Sequence, residues 1–242
     1  MYGGVKLRWR PEQSAELEWM DAPGHSRALI EDNLGDLRRV NRLLGGVRLT
    51  LRPLLRLAAA LPPAQRLCVL DVATGGADIP RAIASWSLRS GRPLFLVASD
   101  INFDIAAVAR DHSRLYSALQ FVVADACHLP FAGDSFHVAV SSLALHHLSP
   151  DRGEQMLREL GRCATLGVVI NDIVRRWIGY CGAIVAVTFG SRNLLTRHDG
   201  PLSVLRAFTG EEMVQLARRA GLRPVYWESF LFYRVAMTAG RA

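Results

Sequence analysis

Apolar residues along this chain follow two rhythms, and the change comes at Arg66. Between Ser26 and Ala60, Leu29, Leu34, Leu37, Val40, Leu43 and Leu44 recur largely at steps of three and four, the spacing of one helix face. Gly45-Gly46 breaks the pattern, a second helix runs to about Ala60, and Pro62-Pro63 closes it. Beyond Arg66 short apolar runs alternate with helical ones. "RLCVLDV", "PLFLVASD", "LQFVVAD", "SFHVAVSSLAL" and "LGVVINDI" read as strands, and "IPRAIASWSLRS", "FDIAAVARDHSRL" and "SPDRGEQMLRELGRCA" as helices. "TGEEMVQLARRAG" follows as a helix with Thr209 as N-cap and Gly221 just past its end. "RPVYWESF" and "FYRVAMTAG" then suit an antiparallel hairpin at a sheet edge. Such alternation predicts an α/β domain with a mostly parallel sheet covered on both faces. The division expected is an N-terminal segment and helical cap over 1–65 (irregular over 1–25), a main domain over 66–242, and a lid inserted at about 175–208.

Composition narrows the class without naming a function. Of 242 residues, half are hydrophobic and 21% charged, as in ordinary globular enzymes. The net charge of +7 comes from arginines scattered without a block, so nucleic acid is not the expected partner. Cys68, Cys127, Cys163 and Cys181 form no C-x-x-C pair and no zinc-type spacing with histidine. The first 21 residues hold no apolar signal core, so a reducing cytoplasm is the expected location. The longest apolar stretch, Trp177–Gly190, falls short of the roughly 20 residues a membrane span needs. It is expected to be a lid or a core helix.

Chemistry concentrates at strand ends, where open parallel sheets bind ligands. Asp71 and the run Ala73, Thr74, Gly75, Gly76 and Asp78 close the first strand, where small residues allow close backbone approach. Asp100 closes the second, placed to accept hydrogen bonds from ribose hydroxyls. Asp125 ends the third, before Leu129-Pro130-Phe131, and Ser141 to His147 end the fourth. A dinucleotide fingerprint would need G-x-G-x-x-G, which "ATGGAD" does not supply.

Over residues 66–240 this set resembles the class I S-adenosylmethionine-dependent methyltransferases, in the branch carrying "LDVGxGxGD", "DAxxLPF" and "LHHL"-type segments. The resemblance implies a Rossmann-like seven-stranded sheet with an antiparallel C-terminal hairpin, and S-adenosylmethionine as cofactor, released as S-adenosylhomocysteine. It implies that Ala73–Ala77 wraps the methionine part, Asp100 binds the ribose and Ile101 packs on the adenine. Asp125 with Ala126 would meet the adenine amino group, and Ser141 and Ser142 the cofactor floor. Two family glycines are replaced by Ala73 and Ala77; if position 77 takes a positive φ, alanine costs about 1 kcal/mol. His137 stands where the family often has aspartate, and a structural role is expected for it.

Methyl transfer asks the protein to align acceptor, methyl and sulfur, and a phenolic acceptor must also lose a proton. His147 or His198 is the expected base, with Asp172 orienting the acceptor or a histidine. His146, Arg175, Trp177, Arg197 and Arg206 are the expected acceptor contacts, and Arg197, His198 and Asp199 fit either a site or a turn held by an ion pair. Asn171-Asp172 is similar to the metal ligands of cation-dependent O-methyltransferases, but their other acids are missing and no metal is expected. The expected reaction is O-methylation of a small apolar or aromatic metabolite of secondary-metabolism type, phenolic, polyketide- or quinone-like. C-methylation of a similar ring, RNA methylation and a non-catalytic cofactor-binding module are the alternatives; "SSLA" after the fourth strand, in place of an Asn/Asp-Pro-Pro-Tyr tetrapeptide, argues against a nucleobase amine. Monomer and homodimer both remain open.

Overall fold

The computed structural model describes residues 11–231 and 233–241. Strands β1 (Leu67–Val72), β2 (Leu94–Asp100), β3 (Leu119–Val123), β4 (Phe136–Ser142), β5 (Ala164–Ile173), β6 (Leu222–Phe230) and β7 (Arg234–Arg241) form one sheet in the order β3-β2-β1-β4-β5-β7-β6. The first five are parallel, and β7 runs antiparallel between β5 and β6, as the hairpin pattern requires. Alternate residues along each strand face opposite sides. Leu70, Val72, Val97, Ala139, Ile170 and Met237 pack with α5 (Pro150–Cys163) and α8 (Gly210–Arg219). Leu67, Val69, Leu96, Val138 and Val140 pack with α2 (Gly46–Ala58) and α3 (Asp78–Ser90). This is the α/β sheet, mostly parallel with an antiparallel C-terminal hairpin, that the sequence pattern led us to expect.

The N-terminal part folds onto this domain. Helix α1 (Arg27–Leu43), capped by Ser26, lays Ile30 and Leu34 against Ile105 and Val108 of α4 (Phe103–Asp111). The Gly45-Gly46 elbow then turns into α2 where space is short. A Cβ on Gly46 would stand 2.3 Å from Asn41 Oδ1 and 2.7 Å from Arg234 Nη2, so only glycine fits. Of the segment expected to be irregular, residues 1–10 lie outside the described residues; 11–25 run across the carboxyl ends of the strands and include a 3-10 turn at Trp19–Asp21.

Three local readings change. The fourth strand stops at Ser142, because Leu143 takes φ 56° and a 3-10 turn follows over Leu145–His147. "RHDG" is not a turn: it lies inside α7 (Leu194–Arg206), whose first turn Asn193 caps. The apolar stretch forms α6 (Trp177–Gly190), but it is not a core helix. Gly179 is its one buried residue among those described, and Ile178, Val185 and Phe189 are 61%, 57% and 86% exposed. Among the described residues no helix is long and apolar enough to cross a membrane.

Candidate active site

The order of the sheet reverses between β1 and β4, and the ends of these strands flank the cleft where ligands of such sheets bind. The loop leaving β1 is strongly curved. Ala73, Gly75 and Ala77 have φ of 56°, 52° and 54°, so glycine occupies only one of three left-handed positions. Each alanine bears a steric cost of about 1 kcal/mol, held in place by the surrounding packing. Gly76 lies under α1, where a Cβ would meet Leu34 at 3.4 Å.

Asp100 ties this loop to β2. Its Oδ2 accepts from the Gly75 N–H at 2.8 Å and its Oδ1 from the Asn102 N–H at 3.0 Å. Each oxygen keeps a lone pair for a further donor. Burial pushes the Asp100 carboxyl up, and the two N–H donors only partly offset this. Next to it Ile101 is 64% exposed, an apolar surface left open beside a charged one. Asp71 is buried at the root of the loop, and burial pushes its carboxyl up to about 8. Asp125, two residues past the end of β3, has a different setting. It accepts from the Cys127 N–H at 2.9 Å and pairs with Arg152 at 3.0 Å, beside half-buried Ala126. Ser141 donates to the Val72 carbonyl at 3.0 Å, joining β4 to β1, and Ser142 accepts from Arg234 at 3.1 Å.

The other half of the cleft is built from β4, β5, α7 and the strap at 11–25. Asn171 and Asp172 are adjacent on β5 and so point to opposite faces. Asn171 turns to α2, donating to the Gly46 carbonyl and Thr50 and accepting from the buried Arg234. Asp172 turns to the 3-10 turn: its Oδ1 lies 2.6 Å from His146 Nδ1, and its Oδ2 accepts from the His146 N–H at 3.2 Å. The partner of Asp172 is therefore His146, not His147 or His198. Complete burial raises the Asp172 carboxyl, but the His146 imidazole, the Ile173 N–H and His147 together hold the group below its ordinary range.

His147 Nδ1 lies 3.0 Å from Asp21 Oδ2, and Glu18 reaches both histidines, at 3.6 Å from His146 Nε2 and 3.7 Å from His147 Nε2. Burial lowers the His147 imidazole, but Asp21 and then Glu18 raise it to about 9. Arg206, buried, donates to the carbonyls of His146, His147 and Glu16 and so pins the turn to the strap. Asp199 fixes the strap from α7, accepting from the Trp19 and Met20 N–H groups at 2.9 Å each. His198 stacks on Trp19 at 3.8 Å between ring centres, with its Nδ1 2.8 Å from Asp199. Arg175 is buried in a two-bond pair with Glu212, whereas Trp177 and Arg197 are exposed. His137 accepts from the Cys68 N–H at 2.9 Å, bracing β4 on β1.

Glu18 and Asp21 escape a reading of motifs. Both lie more than a hundred residues before the histidines they face, in a segment without helical or strand periodicity. The one available sign was the density of acids in "EQSAELEWMD".

The loop fits a cofactor with a charged amino-acid head, a ribose and an apolar ring. Asp71 Oδ1, Thr74 Oγ1 and Asp78 Oδ2 are buried without a hydrogen-bond partner, a costly state that a polar ligand relieves. Asp100 has lone pairs to spare and Ile101 offers an apolar face, so S-adenosylmethionine suits the set.

Comparison with known proteins agrees. Residues 69–167 match the family described as a methyltransferase domain. The chain is 37% identical over 71 residues to the ubiquinone/menaquinone biosynthesis C-methyltransferase UbiE of Rickettsia prowazekii, and equally so to that of Rickettsia typhi. These alignments cover 28% of this chain and 29% of each relative, so the likeness to them is confined to under a third of their length. A SAM-dependent methyltransferase from Aquifex aeolicus superposes with a TM-score of 0.62 at 16% identity, over 89% of this chain and 98% of that one. The CMeT domain of the citrinin polyketide synthase gives 0.60 at 14% identity, over 77% and 50%. The cyclase SpnF gives 0.56 at 17% identity, over 84% and 81%, so one architecture serves more than one reaction.

Proposed function

We propose that this chain, whose core is a class I S-adenosylmethionine-dependent methyltransferase domain, methylates a ring carbon of a small, apolar, hydroxyl-bearing aromatic acceptor of quinol type. One observation carries the reading: the strained Ala73–Ala77 loop and the histidine–acid cluster at His146-His147 flank the β1/β4 switch point of the same sheet. The name shared by the two curated relatives, a C-methyltransferase of quinone biosynthesis, favours carbon over the oxygen that the sequence suggested.

When bound, the cofactor supplies a methyl group activated on a sulfonium. Asp71, Thr74 and Asp78 would hold its amino-acid end with the backbone of Ala73, Gly75 and Gly76. Asp100 would take the ribose, Ile101, Asp125 and Ala126 the adenine, and Ser141 and Ser142 the floor. The His146-His147 turn meets the acceptor's hydroxyl, where loss of its proton to solvent makes the ring a better nucleophile. Asp172 orients His146, while His198 acts at one remove by holding Trp19 and the strap. Trp177, exposed at the start of α6, and Arg197, exposed in the first turn of α7, are the remaining candidate acceptor contacts, at opposite ends of that helix pair. "SSLA" at the end of β4 and the scattered arginines speak against a nucleobase amine as acceptor.

The test is turnover with methyl-labelled cofactor on three acceptors: an alkylated hydroquinone, its mono-O-methyl ether and bulk tRNA. The product is located by mass spectrometry and NMR. A ring-methylated quinol is the expected result. An O-methyl product alone, or label in the tRNA, would replace the reading. Tight S-adenosylhomocysteine binding with no product on any acceptor would make the protein a non-catalytic binder.

A further inference from the structure

We infer that His146, His147 and Glu18 form a binding site for one divalent cation of the zinc type, with the fourth coordination position left to a water or an acceptor oxygen. His146, His147 and Glu18 each offer one ligand atom, and these atoms all lie within 4.8 Å of one another. His146 Nε2 is 3.6 Å from Glu18 Oε1, and His147 Nε2 is 3.7 Å from Glu18 Oε2. Both gaps are too long for a hydrogen bond. Both are close to the roughly 3.4 Å that separates two ligands of a tetrahedral ion with bonds of about 2.1 Å.

The far side of each imidazole points the same way. His146 Nδ1 is 2.6 Å from Asp172 and His147 Nδ1 is 3.0 Å from Asp21. A nitrogen that faces a carboxylate must carry the proton, so in the neutral ring the lone pair sits on Nε2. With both rings neutral, two Nε2 lone pairs converge on the Glu18 carboxylate, and a divalent cation would take the place of the ring protons that otherwise lie between them. A carboxylate behind each ligating histidine is also the arrangement by which proteins fix imidazole orientation at metals.

Charge agrees with geometry. Among the described residues, Glu18, Asp21 and Asp172 bring three carboxylates to the two imidazoles, beside one guanidinium, Arg206, whose Nε is 3.7 Å from Glu18 Oε1. The donors of Arg206 go to the carbonyls of His146, His147 and Glu16, and Glu18 is steadied by the Ser203 hydroxyl at 2.9 Å. Glu18 and His146 are buried, and His147 is half-buried, so the open position lies on its side. The sequence carried no sign of this, because the carboxylate ligand comes from a strap 128 residues before the nearer histidine (146 − 18).

An ion here would bind an acceptor hydroxyl as its anion, the proton passing to solvent, because a bound cation lowers the pKa of a coordinated hydroxyl. That consequence rests on the proposed methyl transfer, whereas the site itself is read without any acceptor. The full-length protein is stripped with chelator and titrated with zinc chloride by calorimetry and with cobalt chloride by visible absorption, without cofactor or acceptor. One ion per chain and the intense bands of four-coordinate cobalt are expected. Glu18→Gln and His147→Gln should each weaken zinc at least a hundredfold. Asp21→Asn, which keeps all three ligands, should weaken it about 10- to 100-fold. Absence of stoichiometric zinc and cobalt binding by the folded wild type overturns the site, whatever the variants do. Binding that persists undiminished in Glu18→Gln and His147→Gln, with folding checked by circular dichroism, overturns it equally. Zinc bound as expected without methyl transfer would count against the quinol reading alone.

Discussion

The ends of β1 and β2 and the ends of β4 and β5 are two halves of one cleft, and they are held together by different means. In the first half, contacts are made by backbone: Asp100 reads the N–H of Gly75 and of Asn102, and Ser141 reads the carbonyl of Val72. All of these groups sit on or beside strands whose register the sheet already fixes. In the second half, contacts are made by charged side chains from distant segments, with Glu18, Asp21 and Asp199 meeting His146, His147 and the strap. The first half is a property of a fold that many proteins share. The second is assembled from segments far apart in the chain, and the proposed acceptor site lies there.

The sharpest way to break the comparison is Asp100→Ala. If the ribose adds two charge-assisted hydrogen bonds to that carboxylate, as proposed, affinity for S-adenosylhomocysteine should fall by roughly two orders of magnitude in a calorimetric titration. Unchanged affinity would mean that the ribose is bound elsewhere. Next, Asp199→Ala frees the Trp19 and Met20 N–H groups and should cost about 1–3 kcal/mol in denaturant unfolding. Proteolysis within residues 11–25 should quicken while S-adenosylhomocysteine affinity holds. A loss of affinity as large as that of Asp100→Ala would show that the halves are not separable.

A smaller effect separates them by pH. With its carboxyl raised from 3.8 to about 8, Asp71 stays protonated in the native state where the unfolded chain has ionised. The native state then binds the extra proton, so this group's contribution to stability declines as pH rises between those two values. Asp71→Asn should flatten that part of the profile, and an unaltered slope would assign it to other groups. The smallest effect is Ala73→Gly. Relief of a left-handed alanine should raise stability by about 1 kcal/mol, and Ala77→Gly should gain less because its fully buried methyl is also lost. A loss at Ala73 would mean that the loop is not strained in the way its φ implies.

The sequence by itself determined the sheet, its helices and the cofactor half. Hydrophobic period and strand-end acids are local signals, read within a dozen residues, and Asp71, Asp100 and Asp125 stand at the strand ends where the pattern put them. Tertiary structure alone decided the other half. It paired Asp172 with His146, made His198 a stacking partner of Trp19, and left α6 exposed although its residues are apolar on every side. It also showed the two loop alanines in the left-handed region, which the residue types argue against. The reason is common to all four. Period and propensity record what a residue does with its near neighbours in the chain, and they are silent on a charge arriving from a hundred residues away or on a backbone angle that packing enforces.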